Sequence, residues 1–126
     1  MNTCVWFEIY VTDLARAKSF YEHLLDAEIP PLTNPTGNDE EMLAIPSQGG
    51  MGDYGATGAL VKSSSRQPSA NGTLVYFGCD DCAAMLDRAE AAGGKRIQEK
   101  TSLGDSGNFA LAQDSEGNMI GFHSGG

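Results

Sequence analysis

Basic residues are scarce in this chain: eight Lys and Arg stand against seventeen Asp and Glu, a formal net charge of -9 at pH 7. The eight are scattered and form no stripe. Nucleic acid and anionic membranes reward clustered Lys and Arg, so neither is expected as a partner. Cysteine is sparse as well, and three residues, an odd number, imply no disulfide framework. Long apolar runs are absent, and none approaches the roughly 18 residues that span a bilayer. The opening Met1-Asn2-Thr3-Cys4-Val5-Trp6 has neither a basic region nor a long apolar stretch. A signal peptide is therefore not expected, and cytoplasmic residence is the default.

What is present fits one globular domain. The 126 residues are 40% hydrophobic and 20% charged, enough to bury a real core. The chain also repeats itself. Phe7-Glu8-Ile9-Tyr10-Val11-Thr12-Asp13-Leu14 leads a strand through an acidic turn into an amphipathic helix. Val75-Tyr76-Phe77-Gly78-Cys79-Asp80-Asp81-Cys82 does the same 68 positions later. In both copies the last Asp suits a helix N-cap.

Period-two alternation predicts strands over 4–11 and 73–79, and helical spacing predicts helices from Asp13 to about residue 25 and from Asp81 to Gly93-Gly94. Further strands are predicted near 27–32 and over 41–45, 57–63, 95–98, 108–113 and 119–124, with a hairpin turn at Asp114–Asn118. Gln48–Gly55 is glycine-rich and loop-like, and the stretch Gly49–Gly58, with no phosphate-binding pattern around it, reads as a mobile flap. The best linker is the Ser-rich stretch that ends at Asn71, giving a single domain of module one (1–63), linker (64–71) and module two (72–126). The element order is β-α-β-β-β twice, an α+β fold.

These two modules resemble the vicinal oxygen chelate superfamily of glyoxalase I, bleomycin-resistance proteins and extradiol dioxygenases. So do the segment Val11-Thr12-Asp13-Leu14-x-Arg16-Ala17-x-x-Phe20-Tyr21 and the ending Asp114-Ser115-Glu116-Gly117-Asn118 before a strand. The resemblance implies curved mixed sheets around a cleft, and commonly a homodimer. It says less about activity, since the superfamily holds lyases, epimerases, dioxygenases and drug binders.

Alternation assigns each strand's faces. Val5, Phe7, Ile9 and Val11 go to the helix side, leaving Trp6, Glu8 and Tyr10 for the cleft. In the second module Val75, Phe77 and Cys79 face the helix, and Leu74, Tyr76 and Gly78 the cleft. On the last strand Ile120 and Phe122 are core-like, with Met119, Gly121 and His123 opposite. On the strand over 108–113, Phe109 and Leu111 are read as core, and Asn108, Ala110 and Ala112 as cleft.

The resemblance also implies where metal ligands belong. Trp6, Leu74 and Gly121 fall at three of those positions, and the fourth lies within Thr57-Gly58-Ala59-Leu60-Val61-Lys62. None supplies a donor suited to a divalent cation, so the usual metal site is expected to be missing. A displaced, weakly held divalent metal at Glu8 and His123 is the one alternative.

Glu8 is the leading catalytic candidate, because a carboxylate among Trp6, Tyr10 and Tyr76 is expected to be desolvated and raised toward general-base behaviour. His123 is the second, pointing inward by parity. Trp6, Tyr10, Tyr76, Leu74 and Met119 are the expected ligand-binding walls. His23 falls on the outer side of its helix and is expected in solvent. Cys79-x-x-Cys82 has redox spacing but straddles a strand-to-helix turn, and reads as a buried small residue beside a helix N-terminal thiol. The helix dipole is expected to lower the Cys82 thiol and make it easy to modify. Two functions follow as expectations: a metal-independent binder of a small amphipathic or aromatic molecule, or a lactoylglutathione lyase-like lyase or isomerase with Glu8 as base. A ferredoxin-like sheet protein is a third reading, to be marked by an odd number of strands per half.

Overall fold

Both acidic turns act as helix caps. The Asp13 carboxylate accepts from the Arg16 backbone N–H at 3.0 Å, and the Asp81 carboxylate from that of Ala83 at 3.0 Å. A computed structural model describes residues 3–34, 36–46 and 55–126. It divides into two compact units, Met1–Pro68 and Ser69–Gly126. Residues 49–54 of the expected flap lie outside the described residues, and its end at Thr57-Gly58 is strand instead.

The first unit runs β1 (Trp6–Tyr10), α1 (Leu14–Leu25), β2 (Pro31–Leu32), β3 (Glu41–Ile45) and β4 (Thr57–Lys62). Its four strands lie in the order β1-β4-β3-β2, with β1 parallel to β4 and the other pairs antiparallel. Helix α1 buries Ala17, Phe20, Tyr21 and Leu24, the three- and four-residue spacing of one helical stripe. Beyond it Asp26 turns the chain in the left-handed region at φ 51°. Glu22 then fixes the exit, its carboxylate accepting from the Ile29 backbone N–H at 2.9 Å and from Lys18 Nζ at 2.9 Å.

The Ile29 N–H foremost, then Lys18, hold the Glu22 carboxyl below its ordinary value. A carboxyl lowered on folding stabilises above its unfolded pKa, near 4.5, and loses that contribution as pH falls through the folded value. Glu22→Gln should therefore lower the melting temperature most at neutral pH and progressively less below about pH 5, where the wild type loses the same contribution, flattening the acid side of the profile. Thermal melts across pH check this.

The second unit repeats the order as β5 (Val75–Gly78), α2 (Cys82–Ala91), β6 (Lys95–Ser102), a short 3-10 turn (Gly104–Ser106), β7 (Asn108–Gln113) and β8 (Met119–Ser124). The sheet order is β5-β8-β7-β6, with β5 parallel to β8. Each sheet thus has four strands, not the odd number the ferredoxin-like reading required.

Two expectations are corrected here. Strand β6 runs four residues beyond 95–98, to Ser102, with register shifts between Arg96 and Gln98 and between Gln98 and Thr101. Those irregularities break the alternation by which a strand is read. On β7 the faces are reversed. Ala110 pairs with Phe122 and Ala112 with Ile120, and all four are buried, whereas Phe109 pairs with His123 and Leu111 with Gly121. Directly opposite residues share a face, so the alanines lie on the core side. Helix α2 packs on the sheet's core side, β7 included, and its buried residues are Cys82, Met85, Leu86 and Ala89. Small side chains at 110 and 112 let a helix pack closely on that side.

The hairpin before β8 anchors the start of this unit. Asp114 accepts from the backbone N–H groups of Glu116 at 2.8 Å and Asn118 at 2.9 Å, while the Asn118 amide donates back to it at 3.0 Å. The Asn118 side-chain oxygen accepts from Ser69 N–H at 2.8 Å, 49 residues away in sequence. Asn118→Ala should leave buried partners unsatisfied and cost about 1–3 kcal/mol, measurable by urea unfolding.

Candidate functional site

The open face of the first sheet is built by β1. Trp6, Glu8 and Tyr10 alternate with Phe7 and Ile9, so all three project to one side. There they bond to one another. The Glu8 carboxylate accepts from the Trp6 indole N–H at 3.2 Å and from the Tyr10 hydroxyl at 2.9 Å, one donor on each oxygen. Burial first, then donation to Glu8 and the charge of that carboxylate, hold the Tyr10 phenol above its ordinary value. The Arg66 guanidinium lies over the Tyr10 ring at 5.7 Å and reaches the Glu40 carboxylate at 3.5 Å.

A groove of about 380 Å³ opens on this face. Trp6 and Glu8 form one wall, Leu32 and Met42 the apolar floor, and Thr33, Asn34, Thr36 and Glu40 the rim. Leu32 and Met42 are direct partners across β2 and β3, and Met42 is in turn paired with Val61 of β4. Tyr10 supports Glu8 from behind and is not among the lining residues.

The sequence pointed to Trp6 and Glu8 but not to Leu32, Met42, Glu40 or the rim residues Thr33, Asn34 and Thr36. Extending the face assignment to 41–45 would have found Met42. The two-residue β2, in a segment rich in proline, gives no comparable signal.

In the second unit Tyr76 stands on the open face, 48% exposed, next to Gly121 in the parallel pairing of β5 and β8. A Cβ on Gly121 would meet the Tyr76 ring at 2.5 Å, so the ring packs directly against the glycine. Met119 and Leu74 are half-buried. His123 is exposed, with Nε2 2.6 Å from the Ser106 carbonyl oxygen, and shares its face with Phe109. Glu8 thus belongs to one unit and His123 to the other, each engaged by neighbours in its own unit. His23 is exposed on α1.

The positions where the superfamily resemblance places metal ligands do not fit a metal. Indole, isobutyl and hydrogen at Trp6, Leu74 and Gly121 offer no donor, and the space a Gly121 side chain would need holds the Tyr76 ring. Among the described residues no group of three or more His, Cys, Asp or Glu is placed to hold a metal ion.

The cysteine pair is inert by position. Cys82 has no exposed surface, which overturns the expectation of an easily modified thiol, since a reagent cannot reach it. Its backbone N–H donates to Ser124 Oγ at 3.2 Å. Burial, followed by the charges around it, pushes the Cys79 thiol up, away from the reactive thiolate.

Known proteins share this architecture. A glyoxalase I variant from Zea mays is similar with a TM-score of 0.73 at 17% identity, over 96% of this chain and 45% of that one. A glyoxalase/bleomycin resistance protein from Albidiferax ferrireducens is similar with a TM-score of 0.66 at 21% identity, over 96% and 98%. In sequence the chain is 28% identical over 116 residues to CFP32 of Mycobacterium tuberculosis, provisionally named a glyoxylase, covering 92% of this chain and 41% of that protein. The chain therefore spans under half the length of the curated relatives it matches. No helix among the described residues is long and apolar enough to cross a membrane. Residues 3–122 match the family model, and the chain belongs to the Glyoxalase/Bleomycin resistance protein/Dioxygenase superfamily.

Proposed function

We propose that this family member binds a small amphipathic or aromatic molecule, without a metal at the superfamily's usual positions. One observation carries the reading: a groove of about 380 Å³ that joins an indole and a carboxylate to an apolar floor. Apolar grooves with a few placed polar groups suit such ligands. Trp6 supplies the wall, with Tyr10 behind it, and Glu8 the polar contact. Separately, the second unit is proposed to carry Tyr76, Leu74 and Met119 as apolar contacts and His123 as a polar one for a ligand on its own surface. Following the family habit, the protein is proposed to be a cytoplasmic homodimer, which sedimentation and cell fractionation would check.

A melting-temperature screen over metals, thiol conjugates and planar drugs tests the reading, because a ligand that binds only the folded state raises the melting temperature. Trp6 is the chain's one tryptophan, so its emission reports the groove alone. An organic hit that shifts both signals supports the proposal. Tight, stoichiometric Zn²⁺, Ni²⁺ or Mn²⁺ binding lost in Glu8→Gln or His123→Ala would overturn it. Glu8 also faces the groove, which favours a second reading, a lyase or isomerase with Glu8 as base. Ligand released intact supports binding; turnover abolished by Glu8→Gln supports catalysis.

A further inference from the structure

We infer that the groove selects organic cations, with an ammonium or amidinium at Glu8 and an apolar body against the Trp6 ring and Met42. The inference rests on the binding reading above and specifies its ligand. It follows from counting donors and acceptors. Four lining side chains carry N–H or O–H donors, Trp6, Thr33, Asn34 and Thr36, and three of them are already committed within the protein. The indole N–H goes to Glu8 at 3.2 Å, and the Thr36 hydroxyl to the Asn34 side-chain oxygen at 2.8 Å. The Asn34 amide donates to the Asn38 side chain and, at 3.0 Å, to the Glu40 carbonyl. What remains for a ligand is chiefly acceptors.

Charge points the same way. The ionisable groups lining the groove are two carboxylates, Glu8 and Glu40, with no Lys, Arg or His among them. Glu40 is paired with Arg66 at 3.5 Å. Glu8 is held by two neutral donors, and among the described residues it has no ion pair. Each Glu8 oxygen accepts one bond and keeps a second lone pair. An anionic head group there would meet uncompensated like charge, whereas a cationic one would gain charge-assisted hydrogen bonds and the face of the indole.

Three probes with one body separate the possibilities: 4-phenylbutylamine, 4-phenylbutanol and 4-phenylbutyrate, titrated against Trp6 emission. The amine should bind about tenfold or more tightly than the alcohol, and the butyrate most weakly. Added salt should erode the amine's advantage and spare the alcohol. Glu8→Gln keeps the shape and one acceptor oxygen for the Trp6 N–H, with its amide able to donate to the Tyr10 hydroxyl oxygen, and should bring amine and alcohol within about twofold of each other. Equal binding of all three probes, or a preference for the butyrate, overturns the cation inference while the binding reading stands. An amine preference that survives both Glu8→Gln and salt also overturns it. If none of the three perturbs Trp6 at millimolar concentration, the binding reading falls with it.

Discussion

Trp6→Ala should weaken ligand binding by about 2–4 kcal/mol, roughly 30- to 700-fold, while the protein stays folded. The indole contributes twice, lining the groove and donating its N–H to the Glu8 carboxylate at 3.2 Å. Removing it takes away the largest contact surface and one of the two donors that orient Glu8. Folding should be little affected, since Trp6 is 38% exposed and stands at the start of an edge strand. Trp6→Phe separates the two roles, because it keeps an aromatic face and loses the N–H. Calorimetric titration reads all three proteins, since the variants lack the only indole. Unchanged affinity in Trp6→Ala would place the ligand elsewhere.

Gly58→Ala should cost the first unit about 3 kcal/mol. Gly58 is buried in β4, between Phe7 of β1 and Ile45 of β3. A Cβ there would collide with the Phe7 carbonyl oxygen and come within 2.8 and 2.9 Å of its ring. A carbonyl cannot swing aside as a side-chain tip does, so β1 itself must move. That strand carries Trp6 and Glu8, so ligand affinity should fall together with stability. Gly78→Ala is the matched control: it lies in a strand of the second unit with nothing within 4 Å of the added Cβ, and should change stability by under about 0.5 kcal/mol. Urea unfolding of both variants makes the comparison.

The parts of this account that were legible in the sequence are the local ones. Alternation over Trp6-Phe7-Glu8-Ile9-Tyr10 needs no partner strand, so it placed Trp6, Glu8 and Tyr10 on one face, and the structure bonds them to one another there. The caps at Asp13 and Asp81 were legible for the same reason. Failures came where a neighbour decides. Phe109 and Leu111 outrank alanine in hydrophobicity, but α2 needs small residues beneath it, so Ala110 and Ala112 took the core side of β7. Strand β2 exists through its pairing with β3, which is why the groove's floor at Leu32 and Met42 was out of view. The missing ligand at Gly121 was visible as a glycine, but not the Tyr76 ring that fills its place.

The most direct test of the central claim, a ligand groove at Trp6 and Glu8 that works without metal, is a Trp6 emission titration of chelator-treated protein with an organic hit from the melting screen. The account predicts a saturable change that added Zn²⁺, Ni²⁺ or Mn²⁺ leaves unaltered. A response that appears only after one of those metals is restored would contradict it.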